Sequence, residues 1–244
     1  MIEELKLIDL KHPDIIDKIK HIFISADTHF GHNRVITDCN RPTTIEEHDD
    51  WLIDRINSVV GKKDKFYLLG DISFHNKKET DKILDKIHGE KYLIIGNHDK
   101  SCENSTRFIT KKQIYNFTFS EGGLNIHIVM CHFPIASWER KIYHSYNAYG
   151  HCHSRFPNTG LSHDVGLDNN NWYPINLYEF LVIMNEKIEK ILAGEHFIND
   201  KLENIDWDAL YQKFRLKFES ENSNLIPSAK TFEILNFFKN NIKI

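Results

Sequence analysis

The sequence lacks long apolar runs, closely spaced cysteines and a strong charge bias. No stretch of its 244 residues approaches the roughly 18 apolar residues that a membrane-spanning helix needs. The N-terminal segment Met1-Ile2-Glu3-Glu4 has neither the basic region nor the apolar core of a secretory signal. The four cysteines show no CxxC spacing, so we expect reduced thiols. These absences predict a cytoplasmic protein that does not contact a membrane.

Charge and length narrow the class of protein further. A formal charge of −4 argues against a polyanion such as bulk DNA as the main partner. Apolar residues make up 41% and charged residues 27%, which is ordinary for a globular domain. The length suits one α/β domain with a modest appendage, and we place the domain at residues 1–193 and a helical C-terminal extension at 194–244.

Apolar periodicity predicts strands and helices in alternation. Buried strands at His21–Ile24, Phe66–Leu69 and Tyr92–Ile95 are separated by amphipathic helices, a βαβαβ pattern that favours a parallel sheet. The pattern then changes to alternating residues around Gly122-Gly123, which predicts an antiparallel hairpin. Further on, we expect two short strands, at 146–149 and 162–167, and a helix capped by Asn176.

Polar residues follow the predicted strands at the points where each strand ends. They are Asp27-Thr28-His29, Gly70-Asp71, Gly96-Asn97-His98-Asp99, His132 and Gly150-His151-Cys152-His153. Strand ends are where α/β sheets carry ligands, so we expect these residues to converge on one site.

The donor types in this set are those of a metal centre. Asp27 with His29, and His151 with His153, stand two residues apart and could each chelate from one strand face. With Asp71, Asn97 and His132 they supply two carboxylates, one amide and four imidazoles, which suits two ions that share a carboxylate, naturally Asp71. Nitrogen and oxygen donors without thiolate favour manganese, iron, zinc, cobalt or nickel over magnesium or calcium. A structural zinc site using Cys131 or Cys152 is the competing interpretation, and we favour core packing for both thiols.

Two divalent ions held by two carboxylates leave a positive pocket, which favours phosphate. A metal-bridging hydroxide could attack phosphorus in line while His98 protonates the leaving group, with Asp71 and Asn97 holding the metals beside it. For substrate contact we predict His32 and Arg41 in the polar loop from Phe30 to Pro42, together with Trp138 and Arg155.

Taken together, these motifs resemble the motif set of the calcineurin-like metallophosphoesterases across about residues 21 to 180. The stretches 27–32, 40–42 and 132–138 further resemble a small bacterial and phage branch of that superfamily. The resemblance implies a sandwich of two mixed β-sheets flanked by helices, with two metal ions at the strand ends. It also implies a division of the ligands: Asp27, His29, Asp71 and His153 for one ion, and Asp71, Asn97, His132 and His151 for the other, with His98 as the acid.

The leading functional hypothesis is a dimetal phosphohydrolase, with manganese as the first choice of metal, that acts as a phosphatase or phosphodiesterase on a nucleotide-like substrate. A nuclease acting on DNA or RNA ends is the first alternative, and an inactive binding scaffold is the second. In the extension, apolar stripes at Asp206–Phe218 and Ser228–Asn241 predict two helices. We expect these helices to fold onto the domain or onto a second subunit, which would make a homo-oligomer.

Overall fold

The computed structural model of the chain describes residues 5–156 and 159–194. Its first half contains α1 (Pro13–Lys20), β1 (Ile22–Ser25), α2 (Asn33–Asp38), α3 (His48–Val59), β2 (Lys65–Leu68), α4 (Lys77–Lys86), β3 (Glu90–Ile94), α5 (Lys100–Glu103) and β4 (Phe108–Lys112). The second half adds β5 (Ile114–Glu121), β6 (Leu124–Cys131), β7 (Tyr146–Tyr149), β8 (Ser162–Asp164), β9 (Ile175–Asn176) and α6 (Leu177–Leu192). The predicted C-terminal extension and its two helices lie, apart from Gly194, outside the described residues.

These strands form one sheet of five strands and one of four, and both sheets are mixed. In the first, with order β4-β3-β2-β1-β9, strands β1 to β4 are parallel and β9 pairs antiparallel with β1. In the second, with order β5-β6-β7-β8, β5 and β6 form a hairpin while β6, β7 and β8 are parallel. The predicted fold class, an α/β sandwich of two mixed sheets flanked by helices, is confirmed.

Alternating side chains of the first sheet contribute to two different cores, as the period of a strand requires. Phe66 and Leu68 of β2 pack with helices α3 and α4 on one face. Tyr67 on the opposite face, and Leu69 just beyond the strand, pack with the second sheet and with α1 and α6. The first sheet is therefore covered on both faces, which explains why its inner strands are nearly continuous apolar runs.

Local signals in the sequence agree with the structure at several places. The turn between β5 and β6 is Gly122-Gly123, and both glycines have positive φ, 58° and 84°. Asn176 caps α6 by accepting a hydrogen bond from the backbone of Glu179, whose side chain accepts one in return. All four cysteines are free thiols. Within the residues that the structure describes, no helix combines the length and apolar character that crossing a bilayer requires.

Several elements differ from the prediction, among them α5 and β9, which were not predicted. The polar loop from Phe30 to Pro42 contains the short helix α2, whose buried face is Val35 and Ile36. Strand β4 was not predicted, because its sequence FITKK shows little alternation and only Phe108 is buried. Strand β8 ends at Asp164 rather than at Leu167, where a 3-10 helix begins after Gly166.

Candidate metal centre

One group of predicted ligands consists of Asp27, His29 and His153. Their donor atoms lie within 4.8 Å of one another, and His29 Nε2 is 3.8 Å from Asp27 Oδ1. Both of these atoms are buried, yet within the described part of the chain neither has a hydrogen-bond partner. Buried polar atoms without a partner are rare, and a bound ion is one of the few satisfactory explanations. The residues present therefore fit a metal ion.

A second group consists of Asp71, His132 and His151, whose donor atoms also lie within 4.8 Å of one another. The side-chain oxygen of Asn97 is 3.1 Å from His132 Nε2. His132 is completely buried, whereas Asn97 and His151 are exposed. This group is thus open to solvent on one side, as a site that receives a substrate must be.

Asp71 stands between the two groups. Its Oδ2 atom is 3.7 Å from His29 Nε2, and its Oδ1 atom is 3.4 Å from His132 Nε2. Burial raises the pKa of Asp71, but the hydrogen bonds with His132 and with the backbone of His98, together with the charges of His132 and His29, outweigh burial, and the pKa falls to about 2. Asp71 is therefore an anion with one oxygen directed toward each group.

Five of the predicted ligands have left-handed backbone conformations. Their φ angles are 60° for Asp27, 52° for His29, 54° for Asp71, 70° for His151 and 46° for His153. Such conformations in residues other than glycine cost of order 1–3 kcal/mol each, and they concentrate at functional sites. The ligands thus sit in strained turns beyond the strands rather than on the strands themselves.

This finding corrects the expectation that residues two apart act as a pair on one strand face. Asp27 and His29 do meet, but through two left-handed turns. His151 and His153 separate, because His151 joins Asp71 whereas His153 joins Asp27. The division of the ligands between two ions stays a prediction.

Glycines before the ligand turns allow close packing. A Cβ atom on Gly96 would lie 2.5 Å from Asp71 Oδ1, and one on Gly150 would lie 2.7 Å from Asp27 Oδ2. Both distances are shorter than any normal contact, so a side chain at either position would displace a carboxylate of the centre.

Hydrogen bonds behind two of the histidines orient their rings. His132 Nδ1 lies 2.7 Å from the carbonyl of Leu69, which can only accept, so Nδ1 carries the hydrogen and Nε2 is left to face Asp71. His153 Nδ1 lies 2.6 Å from Asp168 Oδ2. Burial lowers the pKa of His153, but the hydrogen bonds to Asp168 and Cys39, together with the charge of Asp27, outweigh burial and raise the pKa to about 10. Asp168 was not singled out from the sequence.

Asp99 is a second residue whose role the sequence did not reveal, although it belongs to the Gly96–Asp99 motif. Its buried carboxylate accepts hydrogen bonds from the backbone nitrogens of Asp71 at 3.0 Å, Ile72 at 2.8 Å and Gly96 at 2.7 Å. Burial raises the pKa of Asp99, while these backbone hydrogen bonds oppose that increase. Asp99 therefore ties the turn after β2 to the turn after β3.

Asp164 has a similar role at the turn that carries His153. Its Oδ2 atom accepts from the backbone nitrogen of Ser154 at 3.1 Å, and its Oδ1 atom accepts from that of Gly166 at 2.8 Å. Burial raises the pKa of Asp164 to about 6. Each of these turns is thus held by a buried carboxylate, that of Asp99 beyond β3 and that of Asp164 at the end of β8.

Arg41 lies behind the centre, which differs from the prediction that it contacts a substrate. Its guanidinium is buried and forms two hydrogen bonds of 2.9 Å with the carboxylate of Asp168. It also donates to the carbonyl oxygens of Asp27 at 2.7 Å and Thr28 at 2.8 Å. Arg41 connects the Asp27 turn to the residue that orients His153, so its geometry is that of a positioning residue.

The other three predicted substrate contacts differ in their exposure to solvent and in their distance from the centre. His32 is half-buried and close to the centre, with its Nδ1 atom 3.3 Å from His29 Nδ1. Trp138 is buried, and its indole nitrogen donates to the carbonyl of Ser145, so it offers no open aromatic surface. Arg155 is exposed and donates to the carbonyl of Asp38. Of the four predicted substrate contacts, His32 is the one that combines a position beside a predicted ligand with partial exposure to solvent.

His98 combines an exposed side chain with a fixed backbone. Its backbone nitrogen donates to Asp71 Oδ1 at 2.9 Å. Its ring centroid lies 6.2 Å from that of His29 and 4.7 Å from that of Phe74. The imidazole thus stands at the open side of the centre, and its function as an acid stays a prediction.

Comparisons with known proteins find relatives whose names do not state a function. No family model matches the chain. It is 41% identical over 88 residues to the uncharacterized protein MJ1445 of Methanocaldococcus jannaschii, an alignment that covers 35% of this chain and 50% of that protein. It is 39% identical over 84 residues to the gene 66 protein of Mycobacterium phage L5, covering 33% and 41% respectively. The gene 66 protein of Mycobacterium phage D29 is 26% identical over 182 residues, covering 62% and 89%. The chain thus spans half or less of the length of the first two relatives.

Among solved structures, the chain resembles the protein of unknown function AQ665 from Aquifex aeolicus. The TM-score is 0.51 at 21% identity, covering 66% of this chain and 98% of the other. This similarity supports the fold alone. The Pseudomonas putida nuclease MPE matches with a TM-score of 0.35 at 15% identity over 56% of this chain and 63% of the other, which is too low to support an argument.

Proposed function

We propose that the protein is a dimetal-dependent phosphohydrolase of the calcineurin-like metallophosphoesterase superfamily, cleaving a phosphomonoester or a phosphodiester. The observation that carries the proposal is the position of Asp71, with one oxygen 3.7 Å from His29 Nε2 and the other 3.4 Å from His132 Nε2. A carboxylate so placed suits two ions that share a ligand. We assign Asp27, His29, Asp71 and His153 to one ion, and Asp71, Asn97, His132 and His151 to the other.

The ligand set also determines which substrates the site attracts. When bound, two divalent ions supply Lewis acidity toward phosphoryl oxygens and lower the pKa of an attacking water. Asp27 and Asp71 are the carboxylates of the set, and they balance only part of the charge of two such ions. The pocket is therefore expected to bind an anion such as a phosphate ester. Nitrogen and oxygen donors make manganese our first choice, with iron, zinc, nickel or cobalt as alternatives.

His98 is our candidate for the general acid. Its side chain is exposed at the open side of the centre, next to Asn97, while the bond from its backbone to Asp71 fixes its position. An imidazole can donate a proton near neutral pH, and a departing alkoxide needs one. In this proposal His98 protonates the leaving oxygen, and Asp71 and Asn97 hold the metal ions beside it.

The experiment combines metal analysis with a panel of phosphate esters. Protein loaded with Mn²⁺ should hold about two equivalents and hydrolyse p-nitrophenyl phosphate or bis-p-nitrophenyl phosphate, and chelation should abolish the activity. Single-stranded and duplex oligonucleotides in the same panel test the alternative of a nuclease acting on DNA or RNA ends. Two bound equivalents without hydrolysis of any ester would favour the inactive scaffold, and fewer than one equivalent would overturn the metal centre.

A further inference from the structure

An exposed aromatic ring lies beside the candidate metal centre. Phe74 follows Asp71 by three residues and keeps 40% of its surface exposed. Its backbone is well fixed, because its nitrogen donates to the carbonyl of Phe30 at 2.8 Å and the neighbouring Ser73 forms a parallel bridge with Phe30. The ring is therefore held in place while much of it faces solvent.

The rings of three histidines lie next to the ring of Phe74. The His32 ring is stacked on it at 4.0 Å with an interplanar angle of 14°, and the His29 ring is nearly parallel at 5.4 Å. The centroids of His29 and His32 are only 5.2 Å apart, so both rings lie toward the same face of Phe74. His98 lies 4.7 Å from Phe74. An aromatic surface thus begins directly beside the candidate acid.

Single exposed apolar side chains are common on protein surfaces and need no explanation by themselves. Phe74 differs because its partners are a predicted ligand, the candidate acid and a stacked imidazole. A substrate whose phosphate occupies the centre must place its leaving group next to His98, and this brings the leaving group to Phe74. A flat aromatic group would bury the exposed ring, whereas a short alkyl group would leave it in water.

We propose that Phe74, with His32 stacked against it, forms a platform for the base of a nucleoside leaving group. This inference rests on the proposed function, and it identifies the substrate as a nucleotide or a nucleotide ester. Stacking tolerates all bases, because every base has a π face, so the platform predicts recognition of a base without strong preference among bases.

The test compares two ligands that differ only in the base. They are the phosphonate analogues of AMP and of ribose 5-phosphate, in which a methylene group replaces the ester oxygen, so neither can be hydrolysed at that position. Calorimetry with the Mn²⁺-loaded protein should show that the adenosine phosphonate binds about 5- to 150-fold more tightly, the range that corresponds to about 1–3 kcal/mol per stacked base.

Variants then locate the base. Phe74→Ala should lose most of this ratio while its affinity for the ribose phosphonate stays unchanged, and Phe74→Trp should keep the ratio. Phe133 is the matched control, because it is 42% exposed and contacts His132 and His151 edge-on at 4.9 Å and 4.8 Å.

Each other outcome counts against the proposal. A loss of the ratio in Phe133→Ala but not in Phe74→Ala would place the base beside the other group of ligands. Equal binding of both phosphonates to the unaltered protein would overturn the platform and leave the phosphate site in place. Binding of neither phosphonate would overturn the proposed function together with the platform.

Discussion

His153 Nδ1 lies 2.6 Å from Asp168 Oδ2, and the same oxygen accepts a hydrogen bond from Arg41 at 2.9 Å. The carboxylate thus holds a predicted ligand on one side and a buried guanidinium on the other. Mutation of a residue that forms a hydrogen bond to a metal ligand and orients it typically lowers metal affinity about 10- to 100-fold. A mutation at Asp168 therefore tests the centre without removing any ligand.

The first prediction concerns Asp168→Asn. The change keeps the size of the side chain but leaves the Arg41 charge buried without a counter-charge. We expect metal affinity to fall about 10- to 100-fold at the Asp27 group, measured by calorimetric titration with Mn²⁺. Chemical denaturation should show a loss of about 3–5 kcal/mol in the free energy of unfolding. Asp38→Asn is the control, since Asp38 pairs with Arg34 at the surface; an unaltered affinity in Asp168→Asn would contradict the orienting role.

The second prediction separates a shared ligand from an unshared one. Asp71→Asn removes the anion that stands between the two groups, so metal analysis at modest metal concentration should find well under one equivalent. His153→Ala affects one group and should leave about one equivalent. Asp50→Asn, at an exposed carboxylate that pairs with Lys86, serves as the matched control. Two equivalents retained by Asp71→Asn would rule out the shared position.

The third prediction concerns His98→Asn and the basicity of the leaving group. Loss of a general acid costs about 10²–10⁴ in rate when the departing alkoxide is basic, and much less for a phenolate that needs no proton. The variant should therefore keep its metals, lose most turnover of alkyl or nucleoside esters, and retain more on p-nitrophenyl esters. Equal losses on both ester types at full metal occupancy, with chemistry limiting both rates, would instead make His98 a residue that positions phosphate.

The fourth prediction concerns stability as a function of pH, through His163 in β8. Burial, followed by the charge of Lys187, lowers the pKa of His163 to about 4. The unfolded chain takes up the proton near the ordinary pKa of about 6.5. Above that pH, His163 is neutral in both states and its contribution to the free energy of unfolding is fully present. It is lost as the pH falls from about 6.5 to about 4, and the loss is on the order of 3 kcal/mol.

The measurement is a denaturation series over this pH range with the unaltered protein and with His163→Gln. The difference in unfolding free energy between the two proteins isolates this histidine from other groups, such as Asp164, whose raised pKa acts in the opposite direction. A difference that is constant between pH 4 and pH 7 would show that His163 titrates normally in the folded protein.

Much of the fold follows from local periodicity. The inner strands β1 to β3 were predicted because burial on both faces requires unbroken apolar runs, and the helices because their apolar stripes recur every three to four residues. Strand β4 escaped prediction because it lies at the edge of the sheet, where Phe108 is buried but the lysines are not. An edge strand is defined by its pairing with β3 rather than by its own composition.

For the site, the sequence indicated which residues meet but not how they are held. Parallel strands end at the same edge of a sheet, so Asp27, Asp71 and Asn97 could be grouped from their positions alone. Arg41 was interpreted as a substrate contact because its loop follows a strand that carries ligands and is rich in side chains that can donate to phosphate. Its partner Asp168 is 127 residues further along the chain, and no local pattern joins the two.

The carboxylate of Asp99 has a consequence for the protein in the absence of metal. It accepts hydrogen bonds from the backbone amides of Asp71, Ile72 and Gly96. The turns after β2 and β3 therefore do not depend on an ion for their shape. Their hydrogen–deuterium exchange should therefore be slow in chelator-treated protein and should change little when metal is added. Such a preorganised centre would bind metal in a site that already has its final shape. No folding step would then limit the rate of metal uptake.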